Sequence, residues 1–289
     1  MKNSVFRIIV LFLAVCLTVT VAAGPAFAAK KLNEIVDVDN YPVSIDTSLS
    51  CDDAFSKGNT QYKKGQYAAA KSYYLLALKN IKQTKIYSQG EICNNLGLAM
   101  LQLEENEAAY ELFRFILENK QTKTNQDRFG AMMNLLIAAH ANGIPAAKEL
   151  SDAASKGYFR FTDLAGQQKN KPGTFTKLLT GLIYNVLYID MENDIYDGAA
   201  SYYYFPSDSL KTVKLTDVMK SLAKLTGGKA EPKDDATLKK VNGKTTRKDY
   251  LQYIRNVLKK ANSWNKDTYG ETDPDIDELL KYLEVLKAQ

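Results

Sequence analysis

The stretch KGNTQYKKGQY, residues 57–67, decides the fold of the N-terminal half, because its glycines and tyrosines have the spacing of two closely packed helices. Small residues let antiparallel helices approach, and aromatic rings fill the gaps that remain. Gly65 stands where the first helix has to end in a left-handed conformation. We therefore predict a helical hairpin here, with its second helix over residues 68–81. The same register includes Ala54, Gly58, Tyr62, Tyr67, Ala70, Tyr74, Ala77 and Leu78.

This pattern returns 39 residues further along the chain. Gly97 stands where Gly58 stood, and Phe113 stands where Tyr74 stood. Glu104 replaces the turn glycine, but the Glu-Asn pair that follows it still favours a turn. A second, degenerate copy of the hairpin is therefore predicted.

A third copy follows after another 39 residues, with Gly143 at the turn and Pro145 at the start of the second helix. Hairpins repeated at a fixed period resemble the tetratricopeptide repeat (TPR) family over residues 51–157. A standard TPR has about 34 residues, and the additional residues of these copies fall in the polar linkers 83–89 and 119–127. The resemblance implies an all-α stack of about three hairpins with an α-rich C-terminal region. The alternative is a generic helical bundle whose register is accidental.

The resemblance to TPR proteins also implies a groove lined by the first helices, which binds a peptide or protein segment. Asn59 and Asn94 would hydrogen-bond the backbone of that segment. From the family pattern, the groove-facing residues are Phe55, Asn59, Tyr62, Asn94, Leu98, Leu101, Met133, Ile137 and His140.

Residues 1–28 have the features of a cleaved export signal. Lys2 and Arg7 form a basic start, an apolar run of about 16 residues follows, and Ala26–Ala28 fits the cleavage pattern. The alternative is a membrane anchor, but the apolar run is shorter than the roughly 20 residues that a spanning helix needs. We expect an exported protein that is periplasmic, secreted or on the cell surface, without a transmembrane segment after cleavage. Residues 29–50 would then form an extended N-terminal segment.

Two cysteines, Cys51 and Cys93, remain after signal removal. In an oxidising compartment they can form a disulfide, which would close a loop of about 42 residues. The alternative is two buried thiols that pack as small hydrophobic side chains. The sequence leaves both open.

The region after the repeats begins with a predicted helix over residues 175–190, whose apolar face would cap the stack and complete a repeat domain over 51–190. Residues 191–210 form a Tyr-rich connector, which is interpreted as a strand or as aromatic packing against the stack. A platform for sugar rings or bases is the functional alternative.

The C-terminal region 211–289 is helical and strongly dipolar. Residues 211–266 contain fifteen basic and five acidic residues, whereas residues 267–289 contain seven acidic and two basic residues. Helices are predicted over 215–226, 246–263 and 275–287. Thr245–Tyr250 faintly resembles the entry motif of S-layer-homology modules, which hold proteins to cell-wall polymers. The alternative function is therefore binding of an anionic envelope polymer by this basic region, with the repeats as a spacer.

The chain offers few groups for catalysis, because it contains a single histidine. No Cys–His or metal-ligand constellation is recognisable, and residues 265–270 fail the ligand pattern of an EF-hand loop. We expect no cofactor, no metal and no enzymatic activity. Export argues against a nucleic-acid partner.

Overall fold

The computed structural model describes residues 30–122, 124–162, 172–191, 213–226 and 245–289. These residues form eleven α-helices and no β-strand, which confirms the predicted all-α class. Three predicted features lie outside the described residues: the export signal, the Tyr-rich connector beyond Met191, and the loop between the first two C-terminal helices.

The helices are numbered α1 to α11 along the chain. Their bounds are α1 Leu32–Ile35, α2 Cys51–Lys63, α3 Tyr67–Lys79, α4 Gln89–Gln102, α5 Asn106–Glu118, α6 Asn125–Ala141, α7 Ala146–Lys156, α8 Pro172–Met191, α9 Leu215–Thr226, α10 Arg247–Tyr269 and α11 Pro274–Ala288. A one-turn 3₁₀ helix, Ile81–Gln83, follows α3. None of the described helices has both the length and the hydrophobicity that a membrane span requires.

The turns of the three hairpins share one backbone conformation at intervals of 39 residues. Gly65, Glu104 and Gly143 all have positive φ, at 73°, 59° and 72°. In each turn, the residue that follows the one with positive φ donates its N–H to the carbonyl of the residue five positions before it, at 2.9 to 3.0 Å. The predicted period is therefore present in the backbone, including at Glu104, where the sequence has no glycine.

Each of the first two hairpins closes on a glycine that faces an aromatic ring. A Cβ added to Gly58 would lie 2.5 Å from Cε1 of Tyr74, and one added to Gly97 would lie 2.7 Å from Cζ of Phe113. Real Cβ atoms do not come this close to a neighbour, so both positions require glycine for the two helices to touch. These contacts confirm the close approach that the spacing of small and aromatic residues predicts.

Hydroxyl side chains begin the first helix of every hairpin. Ser50, Ser88 and Thr124 each accept a hydrogen bond from a backbone N–H in the first turn of α2, α4 and α6. An N-cap of this kind satisfies one of the N–H groups that a helix start leaves without a partner. The polar segment before each hairpin therefore ends in a side chain that caps the start of the next helix.

The hairpins stack in two rows. The inner row consists of α2, α4, α6 and α8, and successive members of it touch one another. The outer row consists of α3, α5 and α7, and each of its helices packs against the inner helices of its own and the next hairpin. The predicted capping helix, α8, touches both α6 and α7 in this manner and so continues the inner row.

The C-terminal helices close the stack on α7. Asn256 of α10 lies opposite Ser151 of α7, with Nδ2 and Oγ 3.4 Å apart, and Nζ of Lys260 donates to the carbonyl of Ala154 at 3.1 Å. From the first of these contacts to the second, the residue numbers increase along both helices, so α10 lies parallel to α7. Helices α9 and α11 then pack against α8 and α10.

The two cysteines are free and buried, so the structure contains no bridge between them. Cys51 lies in the first turn of α2, and Cys93 lies within α4. Both side chains belong to the hydrophobic core. The alternative of two thiols that pack as small hydrophobic groups therefore describes the structure.

Candidate functional site

The inner row contains all nine residues that the family pattern assigns to the groove. Six of them are buried, so the structure places their side chains in the interior: Phe55, Asn94, Leu98, Leu101, Met133 and Ile137. For the five of these residues that lie on α4 and α6, the physical reason is that both helices have neighbours on several sides, whereas the family pattern assumes one open face. Asn59, Tyr62 and His140 are the three that remain partly exposed.

Asparagine side chains connect successive helices of the inner row. Nδ2 of Asn95 donates to Oδ1 of Asn59 at 2.8 Å, which links α4 to α2. Nδ2 of Asn134 donates to Oδ1 of Asn94 at 3.0 Å, which links α6 to α4. Asn95 and Asn134 were not among the residues predicted from the sequence. They are 39 residues apart, so the repeat register was the signal that could have identified them.

Unpaired polar atoms are concentrated in the same row. Eleven buried side-chain nitrogen or oxygen atoms of the described residues lack a hydrogen-bond partner, and seven of these belong to the inner row. None belongs to α3, α5 or α7. A buried group without a partner costs free energy, so native proteins keep few of them. The seven are Gln61 Oε1, Tyr62 OH, Asn94 Nδ2, Asn95 Oδ1, Asn134 Oδ1, His140 Nδ1 and Asn185 Nδ2.

These inner-row groups are mainly uncharged amides and hydroxyls. Burial and the neighbouring phenol of Tyr67 raise the pKa of Tyr62 to about 12, so its hydroxyl keeps its proton at neutral pH. Amides offer both donors and acceptors in one side chain. The row is therefore suited to neutral polar ligands such as a peptide backbone, rather than to phosphate or carboxylate groups.

The only histidine lies beside a buried carboxylate at the end of the inner row. Nδ1 of His140 is 3.5 Å from Oδ1 of Asp190, which is fully enclosed. Asp190 also accepts hydrogen bonds from the N–H groups of Ala146 and Ala147, at 2.6 and 3.0 Å, and from the hydroxyl of Tyr250 at 2.7 Å. The carboxylate thus caps the start of α7, where Pro145 provides no side-chain cap.

The thiols are unsuited to nucleophilic chemistry with this histidine. Burial raises the pKa of Cys51 to about 11 and also raises the pKa of Cys93, so both thiols stay protonated at neutral pH. The described residues also include no cluster of three or more His, Cys, Asp or Glu side chains that could hold a metal ion.

Comparison with protein-family models, with curated proteins and with solved structures finds no match to this chain.

Proposed function

We propose that the chain is an exported, non-catalytic scaffold of TPR type, which binds an extended segment of another protein along the inner row. The observation that supports this proposal is the series of amide and hydroxyl side chains along the inner row, among which Asn59, Tyr62 and Asn95 are partly exposed. A peptide backbone presents alternating N–H and C=O groups, which satisfy amide side chains in pairs. The protein acts in the periplasm, at the cell surface or in the medium.

Binding begins at the accessible positions of the inner row. Asn59 and Asn95 are half-buried and already bonded to each other, so a ligand backbone can exchange with their mutual hydrogen bond. Tyr62 and His140 are partly exposed at the C-terminal ends of α2 and α6. These four residues are the contact points that we assign to the partner.

The test uses a phage-displayed library of 12-residue peptides, followed by affinity measurements on the selected peptides. We expect the double substitution Asn59→Ala and Asn95→Ala to weaken binding at least tenfold, because each lost amide removes backbone hydrogen bonds. Lys63→Ala is the matched control, since Lys63 is an exposed polar residue of the same helix. Unchanged affinity in the double variant would exclude the inner row as the binding site.

The second candidate function is binding of an anionic envelope polymer by the basic C-terminal region. Three of its basic residues have internal roles: Arg247 donates to the carbonyl of Leu286, Arg255 pairs with Glu284, and Lys260 caps α7. In the described part of residues 211–266, six further lysines are exposed and remain for such a partner, namely Lys214, Lys220, Lys224, Lys248, Lys259 and Lys266.

Sedimentation with purified cell wall distinguishes this candidate from the peptide scaffold. If the polymer is the partner, Lys220→Glu with Lys224→Glu lowers the bound fraction, and raising NaCl from 50 to 500 mM releases the protein because salt screens exposed charges. The inner-row variant leaves this binding unchanged. A protein that stays in the supernatant at low salt excludes the polymer as the partner.

A further inference from the structure

A segment of irregular backbone, residues 36–49, crosses α3 on the outer row; we call it the strap. Two hydrogen bonds hold its backbone to side chains of the stack. The N–H of Val43 donates to Oγ of Ser72 at 3.2 Å, and Nδ2 of Asn80 donates to the carbonyl of Leu49 at 3.0 Å. Side-chain groups that bond to the backbone of a segment recognise its extended form rather than its sequence.

The strap places apolar side chains against the core. Val36 is buried, and four further side chains are half-buried against the hydrophobic cluster. Asp39 adds an ion pair with Lys79, with 2.6 Å between Oδ1 and Nζ. The half-buried side chains are those of Val38, Tyr41, Ile45 and Leu49.

Three features make the strap a weak occupant of this surface. Val36 is its only buried side chain, and that side chain keeps an exposed fraction of 6%. Its ion pair is exposed, with side-chain exposures of 65% for Asp39 and 48% for Lys79, and such pairs contribute little to stability. The hydroxyl of Tyr41 is buried without a hydrogen-bond partner, which penalises the closed position.

We propose that this outer face of α3 is a second peptide channel, which the strap occupies and which a partner segment can take over. The partner that fits is an extended segment with aliphatic residues at the positions of Val36 and Ile45, an acidic residue at that of Asp39, and phenylalanine at that of Tyr41. Phenylalanine fills the same space without burying an unpaired hydroxyl. The strap thus keeps the channel closed until a better-matched segment replaces it.

The channel is separate from the inner-row amides, because the hydrogen bonds and the ion pair that hold the strap lie on α3 and on Asn80, the residue that ends it. Asn95→Ala, which alters the inner row, is therefore a control that leaves the strap unchanged. Failure of the inner-row proposal would leave this one standing, and the reverse also holds.

Native-state hydrogen exchange on the whole protein tests the strap directly. We expect the amide of Val43 to exchange by local opening, at least a hundredfold faster than the buried amides of α3, because few contacts hold it. Tyr41→Phe is expected to slow this exchange about tenfold, because it removes the unpaired hydroxyl. Exchange of Val43 at the rate of the α3 amides, or an unchanged rate in Tyr41→Phe, would overturn the proposal.

The probe for the channel itself is a fluorescein-labelled synthetic peptide of residues 34–50. We expect the peptide with Tyr41→Phe to bind the protein at least tenfold more tightly than the peptide of natural sequence, and to accelerate exchange at Val43 by displacing the strap. A peptide of scrambled sequence is the control. Equal binding of the natural and scrambled peptides, or binding that leaves Val43 exchange unchanged, would contradict the proposal.

Discussion

Glu104 adopts a left-handed backbone conformation. The equivalent positions in the other two hairpins are occupied by glycine, Gly65 and Gly143. A side chain in this region of φ and ψ costs about 1 to 2 kcal/mol, because its Cβ crowds the following carbonyl oxygen. Nothing at this turn removes that cost, since the backbone hydrogen bonds are the same in all three copies. The second hairpin therefore carries local strain that the other two avoid.

We expect Glu104→Gly to raise the free energy of unfolding by about 1 kcal/mol, because glycine adopts this conformation without strain. Urea denaturation measures the change as a higher midpoint with an unchanged slope. Gly65→Ala is the matched control and should destabilise by a similar amount, because a Cβ there contacts nothing within 4 Å and adds only backbone strain. A destabilised Glu104→Gly variant would contradict this account of the turn.

Glu149 is a buried carboxylate that accepts a hydrogen bond from the hydroxyl of Tyr110 at 2.8 Å, between α7 and α5. Burial raises its pKa above the ordinary value of 4.5, although Tyr110 and the cations Arg114 and Lys148 oppose this. The folded protein thus binds this proton more tightly than the unfolded chain. The stabilisation linked to it is complete below about pH 4.5 and is lost as the pH rises through the folded pKa.

The substitution Glu149→Gln keeps an oxygen acceptor for Tyr110 and removes the ionisation. We expect the variant to match the natural protein near pH 4 and to become more stable than it as the pH rises to 7, because glutamine does not ionise. Thermal unfolding at several pH values measures this difference. If the melting temperatures of the two proteins change with pH in parallel, the ionisation of Glu149 does not destabilise the folded protein.

At the scale of elements, Asp190 joins three helices at one carboxylate. It accepts two backbone hydrogen bonds from the start of α7 and one from Tyr250 of α10, while it belongs to α8 itself. All three partners are hydrogen-bond donors, so both side-chain atoms at the positions of Oδ1 and Oδ2 have to be acceptors. This carboxylate is a fully buried polar connection between the hairpin stack and the C-terminal helices.

We expect Asp190→Asn to destabilise the protein by about 3 kcal/mol, because its amide NH₂ would face a donor in the buried site. Tyr250→Phe should cost less, about 1 kcal/mol, since Asp190 keeps its two backbone partners. Equilibrium unfolding in urea gives both values. If the two substitutions lower the free energy of unfolding equally, the hydrogen bonds that cap α7 add no stability beyond that of the hydrogen bond from Tyr250.

Local patterns predicted most of the helices well, because caps, turns and apolar faces are encoded within one turn of each helix. Among the predicted helices, the end of α10 differs most from its predicted position, since the helix continues six residues beyond position 263. Its last turns are held by polar contacts with the next helix: Asn262 donates to Asp277 and accepts from the N–H of Asp273. A periodicity of apolar residues does not contain that information.

For the molecule as a whole, the sequence predicted the helical stack but not how the C-terminal helices pack against its last helices, α7 and α8. The contact between Asp190 and Tyr250 joins residues 60 positions apart, and no repeat relates the two. For the same reason the burial of Leu98, Met133 and Ile137 was not predicted, because a family pattern fixes a position on a helix but not what surrounds it. Long-range packing therefore decides how much of the inner row is exposed to solvent.

The stack has two ends that differ from its interior. The exposed residues of α2 are all polar, whereas the other face of α7 is covered by α10. The exposed residues of α2 are Asp53, Ser56, Lys57, Thr60 and Lys63. Among the described residues, the exposed face of α2 therefore does not offer the apolar surface on which a further hairpin would stack.

The polar outer face of α2 has a consequence for the proposed binding capacity. If the inner row binds a partner as proposed and copies of the chain do not stack end to end, each chain carries a fixed length of inner row. Capacity would then rise in proportion to the number of chains, without the cooperative threshold of a filament, and partner occupancy would follow simple saturation.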